Sequence, residues 1–355
     1  MTYPGELLCY CRPGFEPDLA AELADKVAAL GREGEAHHVQ GDGFVRFLLP
    51  EGEAANGLHR DLPLTGLVFA RQSLVALPPL TLSRDDRLTP IIDQVVASGW
   101  SFESLWQETP DTNEGKALAG LAKALERPLS SLLTKRKALR RKAGGRRLHL
   151  LWSAGDRVQL GMSFPGNRSE LLGGIRRLRF PKAAPSRSTL KLEEAWHEFV
   201  PRDEWGDRLG QGMQAADLGA APGGWTWQLV QRGMHVYAID NGPMDRTLMA
   251  TGQVEHLQED GFTWEPPYRL DWLVCDIVDK PSRVEAMVER WLVRRWCREA
   301  VFNLKLPMKR RWPEVEACLG RLAEALRAAR VDAEIACRHL YHDREEVTVH
   351  VRLRP

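Results

Sequence analysis

Short apolar runs alternate with longer amphipathic stretches through the second half of the chain. Runs of strand length occupy residues 214–218, 235–239, 254–258, 272–275 and 300–305, and helical spacing occurs at 188–199, 225–232, 282–296 and 313–329. This alternation predicts a mainly parallel sheet that is covered on both faces. Residues 333–338 and 346–353 predict two further strands with a short connection, which favours an antiparallel pair at one edge.

The first half mixes short strands and helices without a regular alternation. The hydrophobic pattern predicts strands at residues 6–12, 44–49, 67–75, 148–153 and 157–162, and helices at 17–30, 88–97 and 116–125. Glycine, proline and arginine follow in an irregular order that is typical of a connection. We therefore predict an α+β domain at residues 1–165, a basic linker at 166–187 and an α/β domain at 188–355.

Composition argues against membrane-spanning and disordered proteins. No apolar run approaches the roughly 18 residues that a transmembrane helix needs. A share of 43% hydrophobic residues with 12 Trp is too high for a disordered chain. The first residues show no secretory signal pattern, and the six Cys form no C-x-x-C pair and no zinc-like cluster. We therefore expect reduced thiols, no metal site and a cytoplasmic location.

Basic residues are concentrated in the middle of the chain, although the formal net charge is only +1. Residues 134–187 contain 15 basic and 2 acidic residues, whereas the segments on either side are acidic. Such a block repels itself and favours a polyanionic partner, although a solvated basic helix face is the alternative. The candidate residues for binding a nucleic acid are Lys135, Arg136, Arg140, Arg141, Lys142, Arg176, Arg177 and Arg179.

A glycine-rich turn follows the first strand of the second half, where residues 217–225 read DLGAAPGGW. Glycines at such a turn let the backbone approach a ligand, and the next helix points its first N–H groups at it. Asp240 ends the next strand, where an acid suits a ribose diol. Asp260 follows the third strand and could accept a hydrogen bond from an adenine amino group. A tight structural turn and a nicotinamide site remain alternatives.

Charged residues also mark the ends of later strands. Asp276 and Lys305 each close an apolar run, and Glu346 begins the last strand. Lys191 lies in the helix before the first strand, and Glu345 competes with Glu346 for the same place. Two Lys and two carboxylates at one sheet end suit methyl transfer to a hydroxyl. A neutral amine can accept the hydroxyl proton where burial or a nearby cation depresses its pKa.

The turn and these charged residues resemble the RrmJ/fibrillarin-like family of S-adenosylmethionine-dependent RNA 2′-O-methyltransferases. The family is marked by Asp-Leu-Gly-x-x-Pro-Gly-Gly-Trp and by a Lys-Asp-Lys-Glu tetrad, which maps to Lys191, Asp276, Lys305 and Glu346. The resemblance implies a Rossmann-like domain in which Lys305 accepts the proton and the other three orient it and the ribose. It also implies cofactor contacts at Ser188, Ala221, Pro222, Gly223, Gly224, Asp240, Asp260 and Asp276.

Chain length, the order of the tetrad and the α+β first half look most like the family members that methylate a cytidine of 23S rRNA. The resemblance implies 23S rRNA or a large-subunit precursor as the partner, and no membrane. It also implies a THUMP RNA-binding module within the first half. We expect a monomer, because no coiled-coil heptad pattern appears.

Three other classes of protein are open on the sequence. A base methyltransferase usually has an Asn/Asp-Pro-Pro-aromatic motif after the fourth strand, where residues 276–279 read DIVD, or a nucleophilic Cys. Cys275 is expected to face the packing of the sheet instead. A non-catalytic RNA-binding assembly factor would not need the four charged residues. A nicotinamide-dependent reductase would not need the basic block.

Overall fold

The computed structural model describes residues 5–354. The chain forms two compact units, Met1–Ile175 and Arg176–Pro355, which divide within the segment that the sequence predicts as a linker. Both units combine helices with a sheet, which confirms the predicted mixed α/β class. Within the described residues, no helix is both long enough and apolar enough to cross a bilayer.

The first unit is built on an eight-stranded sheet. Its strands are β1 (Glu6–Tyr10), β2 (Glu35–His37), β3 (Phe44–Leu48), β4 (Gln72–Ala76), β5 (Leu80–Thr81), β6 (Ser104–Glu108), β7 (Arg147–Ala154) and β8 (Arg157–Ser163). Its helices are α1 (Glu16–Ala29), α2 (Ala55–Asp61), α3 (Leu88–Ala97) and α4 (Asn113–Lys135). The strands run in the order β2-β3-β1-β4-β8-β7-β6, and β5 pairs with β8. All five residues of β1 are buried. This strand lies between β3 and β4 and is the first element of a β-α-β-β-α-β arrangement that ends with β4.

The prediction of a strand at residues 67–75 is wrong for residues 67–71, because β4 begins only at Gln72. The carboxylate of Glu22 on α1 accepts hydrogen bonds from the backbone N–H groups of Val68 and Phe69, at 2.5 Å and 2.9 Å. These amides are therefore satisfied by a buried side chain rather than by a neighbouring strand. A run of apolar residues does not distinguish a strand from a buried irregular segment, because the segment is buried in either case.

Helix α4 is more than twice as long as the helix predicted at 116–125. It begins where Thr112 Oγ1 accepts a hydrogen bond of 2.8 Å from the N–H of Gly115, a side-chain cap of the usual kind. It also runs through Pro128, a residue that normally interrupts a helix. The basic block of the sequence therefore starts on the last turn of this helix, at Lys135.

The second unit contains a seven-stranded sheet. Its strands are β9 (Gln214–Leu218), β10 (His235–Ile239), β11 (Val254–Leu257), β12 (Leu270–Cys275), β13 (Cys297–Lys305), β14 (Ala333–Arg338) and β15 (Glu346–Leu353). Its helices are α5 (Thr189–Phe199), α6 (Trp205–Arg208), α7 (Gly224–Gln231), α8 (Arg246–Met249), α9 (Pro281–Val293) and α10 (Arg311–Ala328). The strand order is β11-β10-β9-β12-β13-β15-β14.

The topology of this sheet creates a crevice at the carboxyl ends of its central strands. Strands β9 to β13 are parallel, and β15 runs antiparallel between β13 and β14. The chain winds from β9 outward to β11 and returns to β12 on the other side of β9. Ligands of open α/β sheets bind where the winding reverses in this way, outside the carboxyl ends of the strands. The predicted parallel sheet with an antiparallel edge is confirmed.

Large aromatic side chains fix the helices that flank this crevice. Trp196 on α5 packs edge-on against Trp272 on β12, with ring centroids 6.3 Å apart, and both side chains are fully buried. The indole N–H of Trp272 donates a 2.7 Å hydrogen bond to the carbonyl of Arg208. Truncating a buried Trp to Ala typically costs about 3–5 kcal/mol. This packing therefore holds α5, which carries Lys191, rigidly against the sheet.

Candidate functional site

Four charged side chains meet at the carboxyl ends of β12 and β13. The Nζ of Lys191 lies 3.0 Å from Asp276 Oδ2 and 2.6 Å from Glu346 Oε1. The Nζ of Lys305 contacts Asp276 Oδ1 and lies 3.3 Å from Glu346 Oε2. Each Lys therefore bridges both carboxylates, and the four groups form a closed ring. The ring is partly open to solvent, with 17% of the Lys305 side chain exposed.

The register of two antiparallel strands explains why Lys305 and Glu346 are neighbours in this ring. Lys305 at the end of β13 is directly opposite Glu346 at the start of β15. Directly opposite residues place their side chains on the same face of a sheet. Glu345 instead pairs with Arg311, at 2.6 Å between Nη2 and Oε2, and its side chain is 61% exposed. Glu346 rather than Glu345 therefore contacts the two Lys.

The two carboxylates govern the charge of Lys191. Burial lowers the pKa of Lys191, but the neighbouring Asp276 and Glu346 outweigh it and raise the pKa above the ordinary value of 10.5. Burial would likewise raise the pKa of Glu346, but Lys191 and Lys305 hold it below 4.5. The raised pKa keeps the Lys191 amine protonated. Its ammonium group balances the charge of the acids.

Asn303 is a site residue that the sequence analysis missed. Its Nδ2 donates a 3.1 Å hydrogen bond to Asp276 Oδ1, and its Oδ1 accepts a 2.9 Å hydrogen bond from Thr348 Oγ1. Thr348 Oγ1 also lies 2.9 Å from Asp343 Oδ2, and Asn303, Thr348 and Asp343 are all fully buried. A buried hydrogen-bond chain therefore ends on the acid that Lys305 contacts. The available signal was a polar residue within an apolar run, two positions before Lys305 and so on the same face.

The glycine-rich turn between β9 and α7 has a backbone that favours glycine. Gly219 and Gly223 have φ angles of 76° and 114°, in the left-handed region. A Cβ atom at Gly219 would lie 2.6 Å from Ile277, and one at Gly224 would collide with the hydroxyl of Ser188. The turn therefore packs closely against the loop after β12 and the start of α5, and these close approaches leave no room for side chains.

Asp240 is held beside this turn by two backbone N–H groups. Its Oδ2 accepts a 3.0 Å hydrogen bond from Ala221, and its Oδ1 accepts one of 2.6 Å from Gly242. Each carboxylate oxygen keeps a second acceptor position, so Asp240 can still bind a pair of hydroxyl groups. Asp260 is exposed and accepts a 2.9 Å hydrogen bond from the N–H of Phe262. An oriented carboxylate beside a narrow backbone turn fits the ribose of a nucleoside cofactor.

Asp217, the first residue of the turn motif, has a supporting role that the sequence analysis did not assign. It is buried at the end of β9 and accepts a 2.6 Å hydrogen bond from Thr226 Oγ1 on α7. Burial raises the pKa of Asp217 to about 7, against the hydrogen bonds of Thr226, and Asp276 and Asp240 raise it further. This bond ties the strand to the first turns of the helix across the glycines.

Cys275 is fully buried beside Asp276, as the alternation of β12 predicts. Burial raises the pKa of its thiol to about 12. A thiol nucleophile must be ionised and reachable, and Cys275 is neither at neutral pH. The geometry therefore disfavours base methylation through a cysteine adduct.

The eight basic residues singled out in the sequence fall in both units. Lys135, Arg136, Arg140, Arg141 and Lys142 lie at and beyond the end of α4 in the first unit, and all five are exposed. Arg140 Nη2 donates a 3.1 Å hydrogen bond to Ser101, which orders the segment locally. The other three, Arg176, Arg177 and Arg179, belong to the second unit, where Arg177 donates to the hydroxyl of Tyr341 at 3.2 Å.

The sheet topology, the turn and the charged ring define an S-adenosyl-L-methionine-dependent methyltransferase. Residues 184–294 match the model of the FtsJ-like methyltransferases. Residues 5–74 match the RlmM ferredoxin-like domain, and residues 86–164 match the N-terminal region of ribosomal RNA large subunit methyltransferase M. The ferredoxin-like match covers the β-α-β-β-α-β arrangement around β1.

Close relatives cover almost the whole chain. Ribosomal RNA large subunit methyltransferase M of Chromohalobacter salexigens is 72% identical over 351 residues, which are 99% of this chain and 98% of the relative. The protein of the same name from Edwardsiella ictaluri is 50% identical, over 98% of this chain and 93% of the relative. That from Pseudomonas putida is 47% identical, over 98% and 97%. The chain belongs to the ribosomal RNA large subunit methyltransferase M family.

Proposed function

We propose that this protein transfers the methyl group of S-adenosyl-L-methionine to the ribose 2′-hydroxyl of a cytidine in 23S rRNA. The supporting observation is the contact of Lys305 Nζ with both Asp276 and Glu346, at the strand ends beside the glycine-rich turn. The name shared by the relatives supports large-subunit rRNA as the substrate. The ribose position and the cytidine follow from the resemblance of the turn and tetrad to 2′-O-methyltransferases.

Lys305 is the proton acceptor in this proposal. A hydroxyl group becomes a useful nucleophile only as its proton leaves, and a positioned base typically accelerates such a step by about 10²–10⁴-fold. Asp276 and Glu346 fix the position of the Lys305 amine, which must be neutral when it takes the proton from the 2′-oxygen. Lys191 offsets the charge of the two carboxylates, so that they orient Lys305 without trapping the proton there.

The crevice residues fit the cofactor. S-adenosyl-L-methionine supplies an electrophilic methyl group on a sulfonium sulfur. The residues that would hold it are Ser188, Ala221, Pro222, Gly223, Gly224, Asp240, Asp260 and Asp276. Two backbone N–H groups already hold the Asp240 carboxylate in place, and the turn offers the N-terminal N–H groups of α7. Asp276 belongs both to this set and to the tetrad, which brings the two substrates to one place.

The basic residues hold the RNA in this proposal. Lys135, Arg136, Arg140, Arg141 and Lys142 are exposed in the first unit, where the resemblance places a THUMP module. Structured RNA is recognised mainly through its shape, phosphates and 2′-hydroxyl groups, which suits an arginine-rich surface. The substrate is then 23S rRNA or a large-subunit precursor in the cytoplasm, bound by a monomer.

The decisive experiment is tritium transfer from labelled S-adenosyl-L-methionine to unmodified 23S rRNA, followed by mapping of the labelled nucleotide. The proposal expects label on the ribose of one cytidine, where the methyl group blocks alkaline cleavage of the adjacent linkage. Label on a base would support a base methyltransferase, and no transfer to any RNA would support a binding factor. A Cys275→Ala variant is the matched control, and its transfer should equal that of the wild type because no thiol takes part.

A further inference from the structure

Two arginines of the second unit stack on one indole ring. The guanidinium carbon of Arg202 lies 3.9 Å from the ring centroid of Trp205, and that of Arg232 lies 4.4 Å from it. His197 also packs on this ring, with centroids 4.7 Å apart. Trp205 itself is almost completely buried. The ring is therefore a fixed support against which two cationic groups pack.

A third arginine, Arg176, adds positive charge near His197. Burial lowers the pKa of His197 to about 4, and Arg176, Arg202 and Arg232 contribute to the shift in that order. The imidazole is therefore neutral at physiological pH, chiefly because it is buried and to a lesser extent because of these positive charges. Of these groups, Arg202 is exposed, whereas Arg176 and Arg232 are half-buried.

These three arginines have no close acidic partner in the part of the chain that the structure describes. Across residues 5–354, the guanidinium groups of Arg176, Arg202 and Arg232 form no ion pair with a carboxylate. The nearby Arg208 behaves differently, since it pairs with both Glu204 and Glu299. Burial and the charge of Arg202 lower the pKa of Arg232, and the nearby Glu193 offsets only part of this shift.

We propose that Arg176, Arg202 and Arg232 form a phosphate-binding surface that holds the backbone of the RNA substrate. This inference rests on the proposed function and adds a binding site to it. A cluster of unpaired guanidinium groups is stabilised by a polyanion. Packing on Trp205 holds the guanidinium groups of Arg202 and Arg232 in place, and without an ion pair their N–H groups are available for bidentate contacts with phosphate oxygens.

The position of the cluster indicates which part of the RNA it binds. Helix α5 carries Lys191 near its start and His197 near its end, six residues later. At about 1.5 Å per residue this separation is about 9 Å along the helix. The cluster therefore contacts nucleotides that flank the target rather than the reacting ribose. Its loss should weaken RNA binding and leave the chemical step unchanged.

The test measures binding of the full chain to unmodified 23S rRNA at several salt concentrations. The triple variant Arg176→Gln, Arg202→Gln, Arg232→Gln should show a salt slope (log affinity against log salt) that is smaller by about 2 to 3, since each phosphate contact contributes about 0.7–0.9. Its KM for RNA should rise, while kcat and the KM for S-adenosyl-L-methionine stay at the wild-type values. Arg202→Gln alone, at an exposed position, should lower the slope by about 0.7–0.9 even if the triple variant is unstable.

Two sets of controls separate charge from packing. Replacing the same three residues by Lys keeps the charge but weakens the stacking, and should preserve most of the salt slope. Changing the exposed Arg269, Arg327 and Arg330 to Gln removes the same charge from elsewhere in the unit and should change the slope little.

The outcomes distinguish this inference from the proposed function. If Arg202→Gln and the triple Gln variant both retain the wild-type slope while the wild type methylates rRNA, the surface is refuted and the function stands. If the wild type neither binds nor methylates rRNA, the proposed function fails. A triple Lys variant that loses as much slope as the Gln variant would assign the arginines to packing and also overturn the inference.

Discussion

Lys305 and Glu346 face each other directly across the antiparallel pair β13–β15, and their charged groups are 3.3 Å apart. The backbone hydrogen bonds of the sheet therefore set the distance between the proposed proton acceptor and one of its acids. A slip of one residue would turn every side chain of β15 to the other face and remove Glu346 from the site. The rigid placement is what a base needs to be aligned with one hydroxyl group.

Glu346→Gln should slow methyl transfer strongly, whereas Glu345→Gln should have little effect. The first change removes a charge that contacts both Lys305 and Lys191, and the second removes an exposed partner of Arg311. We expect kcat of the Glu346 variant to fall by about 10²-fold or more, the lower end of the contribution of a positioned base. Single-turnover rates at saturating substrates measure the difference. Equal rates for the two variants would contradict the assignment of Glu346.

Asn303→Ala should lower kcat more than it changes the KM for S-adenosyl-L-methionine. The variant loses the hydrogen bond to Asp276. A hydrogen bond to a charged group is worth about 1.5–3 kcal/mol, so the loss corresponds to roughly 10–100-fold in rate. Thr348→Ser retains the hydroxyl behind Asn303 and should keep the wild-type rate. An Asn303 variant that folds and turns over normally would show that the buried chain does not position Asp276.

Asp217→Asn should change how stability depends on pH. The pKa of Asp217 is raised to about 7 in the folded state from an ordinary value of 3.8, so the folded protein holds an extra proton between these values. This carboxyl group makes the protein less stable as pH rises from about 4 to 7, by at most about 1.4 kcal/mol per pH unit.

The Asn side chain does not titrate, so the variant should gain stability relative to the wild type through that interval. Denaturant unfolding of both proteins at pH 5 and pH 8 measures the change. A difference between variant and wild type that is the same at both pH values would show that Asp217 does not titrate there.

Changing Arg140, Arg141 and Lys142 to Gln should weaken RNA binding and reduce its salt slope by about 2 to 3. These residues are exposed beyond the end of α4, so their replacement should leave the fold of the unit intact, apart from the local hydrogen bond of Arg140 to Ser101. The matched control changes Lys116, Lys123 and Arg127 to Gln. These residues are exposed on α4 and lie outside the basic block. An unchanged slope in the first variant would leave the basic block as a solvated surface.

The sequence predicted most of the second unit because its central strands β9, β12 and β13 are largely buried and its candidate site residues stand at strand ends. The strands β9, β10, β14 and β15 begin and end where the hydrophobic pattern places them. The charged residues that close β12 and β13 were visible for the same reason, since a charge at the end of an apolar strand needs a partner.

Contacts between side chains that are distant in sequence could not be predicted from the hydrophobic pattern. The hydrogen bond from Asn303 to Asp276 depends on the register of neighbouring strands, which periodicity does not supply. At residues 67–71, the backbone N–H groups of Val68 and Phe69 donate to Glu22 instead of pairing with a strand. Glu22 lies 46 and 47 positions away in the sequence. The pairing of Arg202 and Arg232 on Trp205 joins residues that only the folded helices bring together.

The most direct test of the account is single-turnover methyl transfer to unmodified 23S rRNA by Lys305→Ala, with the affinity for S-adenosyl-L-methionine measured in parallel. Lys305 contacts the acids of the tetrad but lies outside the glycine-rich turn, so cofactor binding should be largely retained. We predict that methyl transfer falls by at least about 10²–10⁴-fold, the contribution of a general base. Retained turnover in this variant would contradict the assignment of Lys305 as the group that takes the ribose proton.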